Sequence, residues 1–380
     1  MMSRSESFKL RACLCALVLI EANASWTIAA GSNDLFTPAV ARNLDHEIED
    51  VAKRNKLPSV AVGVHVPGKG RYTFVEGFAN LKTRTSRGFD QPFRVASITK
   101  TFAATAVLIL IDRGLFHKTD PIATWYPEFP NADRITVDDL LRMRSGIPAP
   151  NDDQVLARVY DHPLSPAPSL ADELSRLARL KADFKPPDTE GIYTDFNYDI
   201  LAGIVQRVTG KDIGALITDS VIIPLKLRHT SYPTGIEIPG TLRGYGWNPS
   251  TKRFDDKTLF NPRLAGAAGA VVSNIADLLV FSRAVCRGDL LKPETQKEQL
   301  QGQPLVGADA AYGEGMALGH GFYGHSGTIN GFSSDMYYIE KLDACLVINV
   351  NRLDRDNKSQ STPILGVVSK TILSALGPQQ

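Results

Sequence analysis

The stretch Ala103-Ala104-Thr105-Ala106-Val107-Leu108-Ile109-Leu110-Ile111 is apolar on every side and is closed by Asp112-Arg113-Gly114. A run of that length with a glycine stop reads as a buried helix, around which the rest of the chain must be arranged. Just ahead of it stands Phe93-Arg94-Val95-Ala96-Ser97-Ile98-Thr99-Lys100. Ser97 therefore falls at or near the helix N-terminus, and Lys100 lies one turn later on the same face. A hydroxyl beside an amine at the positive end of a helix dipole is a candidate activated nucleophile. The tetrapeptide proves little alone. About one Ser-x-x-Lys is expected by chance in a chain this long, and a serine at a helix start is commonly just an N-cap.

At 380 residues the chain can bury a large core in one or two domains. A formal net charge of +1, with no basic or acidic block, argues against a nucleic-acid partner or a polybasic membrane patch. The first 24 residues have the order of an export signal. Arg4, Lys9 and Arg11 precede the nine apolar residues Ala12 to Ile20, and Ala22-Asn23-Ala24 follows as a cleavage site, with Ala29-Ala30 as a later one. Nine residues are too few to span a bilayer. The expected product is exported, periplasmic or secreted, with no stable membrane insertion after cleavage. Cys13 and Cys15 leave with the signal, and only Cys286 and Cys345 remain. They can pair in an oxidising compartment or be two unrelated buried thiols; both readings stay open.

Asn43 to Arg54 has helical periodicity. Two strand-like runs follow, Ser59 to Val66 and Arg71 to Phe78, joined by the hairpin signal Pro67-Gly68-Lys69-Gly70. From about 121 to 300 the text is mainly helical, with amphipathic segments at Leu170 to Leu180 and Tyr198 to Val208 and a further helix at Asn274 to Cys286. Strands return at Ser333 to Glu340 and Ala344 to Asn351, and Ile364 to Leu376 closes as a helix. Strands at both ends with helices between predict an α/β (α+β) chain. One mixed sheet is built from the two termini, with a mainly helical insertion and a cleft between the parts.

Two further strings carry chemistry. Tyr193-Thr194-Asp195 lies in a loop before an amphipathic helix; a tyrosine there is a general base if nearby cations lower its pKa, and otherwise a packed loop residue. Gly324-His325-Ser326-Gly327-Thr328 reads as a glycine-bounded strand edge whose backbone N–H groups, with that of Ser97, could hold an oxyanion. It nearly spells the Gly-x-Ser-x-Gly elbow but fails at Thr328, and that order needs a histidine after the serine, whereas His325 is the last in the chain. His320 and His325 form no recognisable metal motif.

Together these strings resemble the serine β-lactamase-like and penicillin-binding hydrolases, in the branch of class C β-lactamases, DD-peptidases, D-aminopeptidases and related esterases. That family carries Ser-x-x-Lys, Tyr-x-Asn and Lys/His-Ser/Thr-Gly in this order, and the likeness runs from about residue 40 to 375. It implies the β-lactamase/DD-peptidase fold, with a mostly antiparallel sheet, over about 35–377, and a helical subdomain at about 121–300. It further implies acyl transfer without metal or cofactor. Ser97 would be the nucleophile, Lys100 and Tyr193 would share the proton work, and Ser97 and Thr328 would form the oxyanion hole. Asp195, His325, Ser326 and Gly327 would line the substrate site. Absence of a Ser-Asp-Asn string disfavours a class A β-lactamase.

Two departures matter. Asp195 replaces the family asparagine, and if it reaches Lys100 it favours the protonated amine. His325 replaces lysine, and a neutral imidazole is a poorer anchor for a substrate carboxylate. Both move the expectation from a dedicated β-lactamase toward a D-Ala-type peptidase, carboxypeptidase or amidase. The alternatives are a carboxylesterase, a β-lactamase and a penicillin- or peptidoglycan-binding module without turnover. The expected partners are a small peptide, ester or β-lactam.

Overall fold

The computed structural model describes residues 34–149, 154, 156–183 and 191–374. The proposed export segment and residues 187–190 of the Tyr193 loop lie outside them. At the first described helix, α1 (Pro38–Arg54), Thr37 caps the N-terminus by accepting from the Val40 N–H, and Pro38 takes the first turn. Lys53 and Arg54 occupy the last turn, where cations are favoured.

The chain then makes the hairpin expected from its sequence, β1 (Ser59–Val66) and β2 (Gly70–Asn80), followed by the short β3 (Thr85–Ser86) and β4 (Phe93–Arg94). Far along the chain come β8 (Ala311–Tyr312), β9 (Ala317–Gly319), β10 (Phe322–Ile329), β11 (Phe332–Ile339) and β12 (Ala344–Val350). The eight-stranded sheet has the order β3-β2-β1-β12-β11-β10-β9-β8, so the two ends of the chain meet at β1 against β12. Each of its strand pairings is antiparallel.

Period-two patterning decides which side chains face which layer. Val60, Val62 and Val64 of β1 join Leu346, Ile348 and Val350 of β12 under Leu44 and Ile48 of α1 and Ile364 and Val368 of the helix Thr362–Ser374. Ala61 faces the opposite layer. There α2 (Thr99–Asp112) is buried along Thr99 to Leu110, as its all-round apolar sequence requires, and Phe102 stacks on Phe281 at 3.6 Å between ring centroids. The helix Ile275–Arg287, capped by Asn274, rests on β1 where Gly63 leaves room. A Cβ at residue 63 would come within 2.5 Å of Ile275 Cγ2.

Two features were not legible in the pattern. A hairpin of β5 (Tyr245–Asn248) and β6 (Arg253–Asp256) interrupts the stretch read as helical, and β7 (Val272–Ser273) pairs with β4 beside the site. These strands are too short for alternation to show. The sulfurs of Cys286 and Cys345 are free thiols, and burial pushes the Cys345 pKa up to about 12.

Gly63→Val should overpack the contact with Ile275 and destabilise the fold by about 1–3 kcal/mol, measured as a lowered urea midpoint at unchanged slope.

Candidate active site

Ser97 lies in a 3-10 turn, Ala96–Ile98, that runs directly into α2. Its neighbours on both sides are buried while Ser97 keeps partial exposure, so the hydroxyl opens to the cleft. The turn is held from three directions. Val95 donates its N–H to Val271 O (3.0 Å), the Thr99 hydroxyl accepts from the Val271 N–H (3.0 Å), and Ala96 adopts φ +52°. A left-handed alanine costs roughly 1 kcal/mol, so the surrounding packing over-determines the conformation of the residue before Ser97.

One helical turn on, Lys100 is fully buried and its ammonium meets three acceptors. Nζ donates to Ser97 Oγ (3.0 Å) and to Ala268 O (3.1 Å), and it pairs with Asp195 Oδ1 (2.6 Å). Three acceptors saturate the three N–H bonds of an ammonium. Burial pulls the Lys100 pKa down, but the Asp195 carboxylate and the Tyr193 phenol outweigh it, and the net shift is upward. The contact between Asp195 and Lys100 raised by the sequence is therefore made.

Tyr193 lies with its ring centroid 4.8 Å from Lys100 Nζ. Its hydroxyl is closed to solvent and meets no group in hydrogen-bond geometry among the described residues, though Lys100 and Ser97 both act on its ionisation. Burial raises the Tyr193 pKa more than Lys100 lowers it. The lowered phenol pKa that the general-base reading requires is thus not a property of this resting arrangement. At rest the pair is an ammonium and a neutral phenol.

The third string falls on β10. β9 pairs with β10 only from Phe322 to Gly324, so beyond Gly324 that edge turns toward the Ser97 turn. The approach is close enough to demand glycine. A Cβ at Gly327 would lie 2.1 Å from Val95 O. Gly327 thus packs directly on the two residues ahead of Ser97, and Ser326 is buried at 4% exposure. His325 is 2% exposed, and both its ring nitrogens are engaged inside the protein. Nδ1 lies 2.5 Å from Ser326 O; a carbonyl only accepts, so Nδ1 carries the proton and Nε2 accepts from the Tyr312 hydroxyl at 3.1 Å. Burial, aided by Lys100, pushes the His325 pKa down to about 3. The ring, expected among the substrate-binding residues, is a neutral support packed on Tyr312 and Tyr193.

Ser97, Lys100, Tyr193, Asp195 and the 325–328 strand are thus gathered in one place. Two participants escaped the sequence reading. Ala268 takes part through its carbonyl, for which no side chain can signal. Tyr312 is a single tyrosine in a glycine-rich stretch with no neighbouring motif.

This arrangement of a buried amine, a phenol and a partly open serine beneath a strand edge defines a hydrolase of the β-lactamase fold. The chain belongs to that family: the profile described as Beta-lactamase matches residues 44–368. PbpX of Bacillus subtilis (strain 168), which carries a penicillin-binding protein name, is 26% identical over 260 residues, covering 68% of this chain and 61% of its own length. This chain thus spans about three fifths of that relative. Among solved structures, a D-amino acid amidase from Ochrobactrum anthropi SV3 superposes with a TM-score of 0.80 at 23% identity, over 89% of this chain and 100% of its own. A D-stereospecific amidohydrolase from Streptomyces sp. does so with 0.73 at 27% identity, over 86% and 97%. No helix among the described residues is long and apolar enough to cross a membrane.

Tyr312→Phe strands His325 Nε2 as a buried acceptor without a donor. The expected cost is about 1–3 kcal/mol of stability, measured by urea unfolding.

Proposed function

We propose that this protein is an exported, metal-independent serine hydrolase that cleaves an amide next to a D-amino acid through an acyl-enzyme on Ser97. The observation that carries the reading is the 3.0 Å contact between Lys100 Nζ and the partly open Ser97 hydroxyl, with Tyr193 packed against both. The similarity to a D-stereospecific amidohydrolase at 27% identity supports the choice of amide. The neutral His325, which offers no cation to a substrate carboxylate, supports it over a dedicated β-lactamase. The order of basic, apolar and small residues within positions 1–24 supports export.

The reaction begins when the resting pair loses one proton, leaving a basic amine or phenolate. Ser97 Oγ then adds to the carbonyl carbon while its proton passes to the Lys100–Tyr193 pair. The developing oxyanion would be held by the N–H groups of Ser97 and Thr328. The carbon–nitrogen bond breaks, and the leaving amine takes the proton from the pair. Water then adds to the ester, gives a proton to the same pair, and Ser97 Oγ departs with it as the free acid is released.

A turnover screen tests the assignment. It uses a D-Ala-D-Ala peptide, a D-aminoacyl p-nitroanilide, a short-chain p-nitrophenyl ester and a chromogenic cephalosporin, with Ser97→Ala as blank and intact mass recorded after mixing with penicillin. Amide turnover lost in Ser97→Ala is the expected result. Ester turnover alone makes the protein a carboxylesterase, and cephalosporin turnover alone makes it a β-lactamase. A permanent penicillin adduct without turnover makes it a binding module.

The pH profile has an expected direction. Asp195 contributes to holding Lys100 protonated, so Asp195→Asn should move the acidic limb of the ester profile to lower pH. An unmoved limb would remove Asp195 from control of the base.

A further inference from the structure

The carboxylate of Asp195 has two oxygens and, among the described residues, one ionic partner. Oδ1 faces Lys100 at 2.6 Å, while the side chain as a whole is 49% exposed beside a lysine that is 0% exposed. The group is therefore a half-exposed anion at the site. A single ammonium bridges it to Ser97 Oγ, so it stands one ammonium's width from the nucleophile. The charged groups acting on His325 are Lys100 and Asp195, and the ring is itself neutral. An asparagine at residue 195 would present a dipole here; the aspartate presents a charge.

We propose that Asp195 is a specificity-determining residue that pairs with the free α-ammonium of an amino-acyl substrate, and that this pairing releases Lys100 for catalysis. The inference rests on the acyl-transfer reading given above. The geometry follows from bond counting. A carbonyl carbon about 3–3.5 Å from Ser97 Oγ has the α-nitrogen two bonds away. That places the nitrogen within the few ångströms that separate Ser97 from the Asp195 carboxylate. A second cation on that carboxylate competes with Lys100 for it and repels the Lys100 ammonium. The lysine is then free to turn toward Tyr193, whose ring centroid lies 4.8 Å from Nζ. The proton lost from Lys100 on binding goes to solvent, and the neutral amine formed is the base that takes the Ser97 proton. A neutral or N-acylated substrate leaves Asp195 on Lys100 and the base locked. Substrate charge thus acts in the catalytic step as well as in binding, so both kcat and KM should respond.

The test compares D-alanine p-nitroanilide with N-acetyl-D-alanine p-nitroanilide at pH 7, where the free amine is mostly protonated. p-Nitrophenyl butyrate serves as the uncharged control. The full-length protein and its Asp195→Asn and Asp195→Glu variants are used, each checked for folding by thermal melting. Wild type should favour the free amine by about tenfold or more in kcat/KM, with part of the gain in kcat. The ratio should fall to near one in Asp195→Asn and recover in Asp195→Glu. A ratio near one in wild type, with the butyrate ester still turned over, overturns this proposal and leaves the serine-hydrolase reading standing. A preference retained in Asp195→Asn overturns it as well, since another group is then the anchor. No turnover of any of the three, and no adduct on Ser97 with a fluorophosphonate, overturns the hydrolase reading and this proposal together.

Discussion

The buried ammonium of Lys100 ties together three stretches of chain that are far apart in sequence: its own helix through Ser97, the short helical turn Gly266–Gly269 through Ala268 O, and the loop ahead of the Phe196–Thr209 helix through Asp195. A fully buried charge left without partners would cost several kcal/mol. The fold therefore has a strong reason to bring these segments to one point. Everything else at the site is arranged around that nitrogen. The apolar α2 carries it, Thr99 fixes the residue at 271 that in turn anchors Val95, and the glycine at 327 lets β10 come down on the turn that presents Ser97.

The same contact sets the chemistry. The lysine donates to Ser97 and Ala268 and pairs with Asp195, its pKa is raised while burial raises that of Tyr193, and the two groups rest as ammonium and phenol. In the proposed reaction the site therefore rests one deprotonation short of its reactive form. The exchange of asparagine for aspartate at 195 and of lysine for histidine at 325 acts in one direction. The site gains an anion in Asp195, and residue 325 offers a sealed, neutral imidazole in place of a cation. Because Tyr312 and Ser326 O lock the imidazole in one tautomer and burial keeps it neutral, the ring does not gain charge at ordinary pH.

Much of this was legible in the chain, for reasons that can be named. The Gly-bearing turn 67–70 reported the β1–β2 hairpin and the Lys341-Leu342-Asp343 turn the β11–β12 hairpin, each to within about two residues, and the unbroken apolar run reported α2. The three strings could be linked because their order, and not any one of them, is distinctive. What stayed hidden has physical causes too. Backbone acceptors such as Ala268 O leave no mark in side-chain identity. Two- to four-residue strands such as β5 to β9 are too short for a period. The upward direction of the Tyr193 pKa depends on how deeply the phenol is buried and on the Asp195 carboxylate beside it, which no local pattern encodes. His325 looked like a cleft residue from its motif, and only the approach of Tyr312 from the edge strand β8 reveals that its ring is sealed.

The ionisation of Lys100 in the resting protein is the most direct measure of this arrangement. With lysine labelled at Nζ or Cε and the Lys100 signal assigned by its loss in Lys100→Arg, an NMR titration should find that side chain losing its proton above the 10.5 of an ordinary lysine. A Lys100 signal that titrates below that value would mean that burial wins over Asp195 and Tyr193. The site would then rest with a free amine already aimed at Ser97, and the account of a locked base would be wrong.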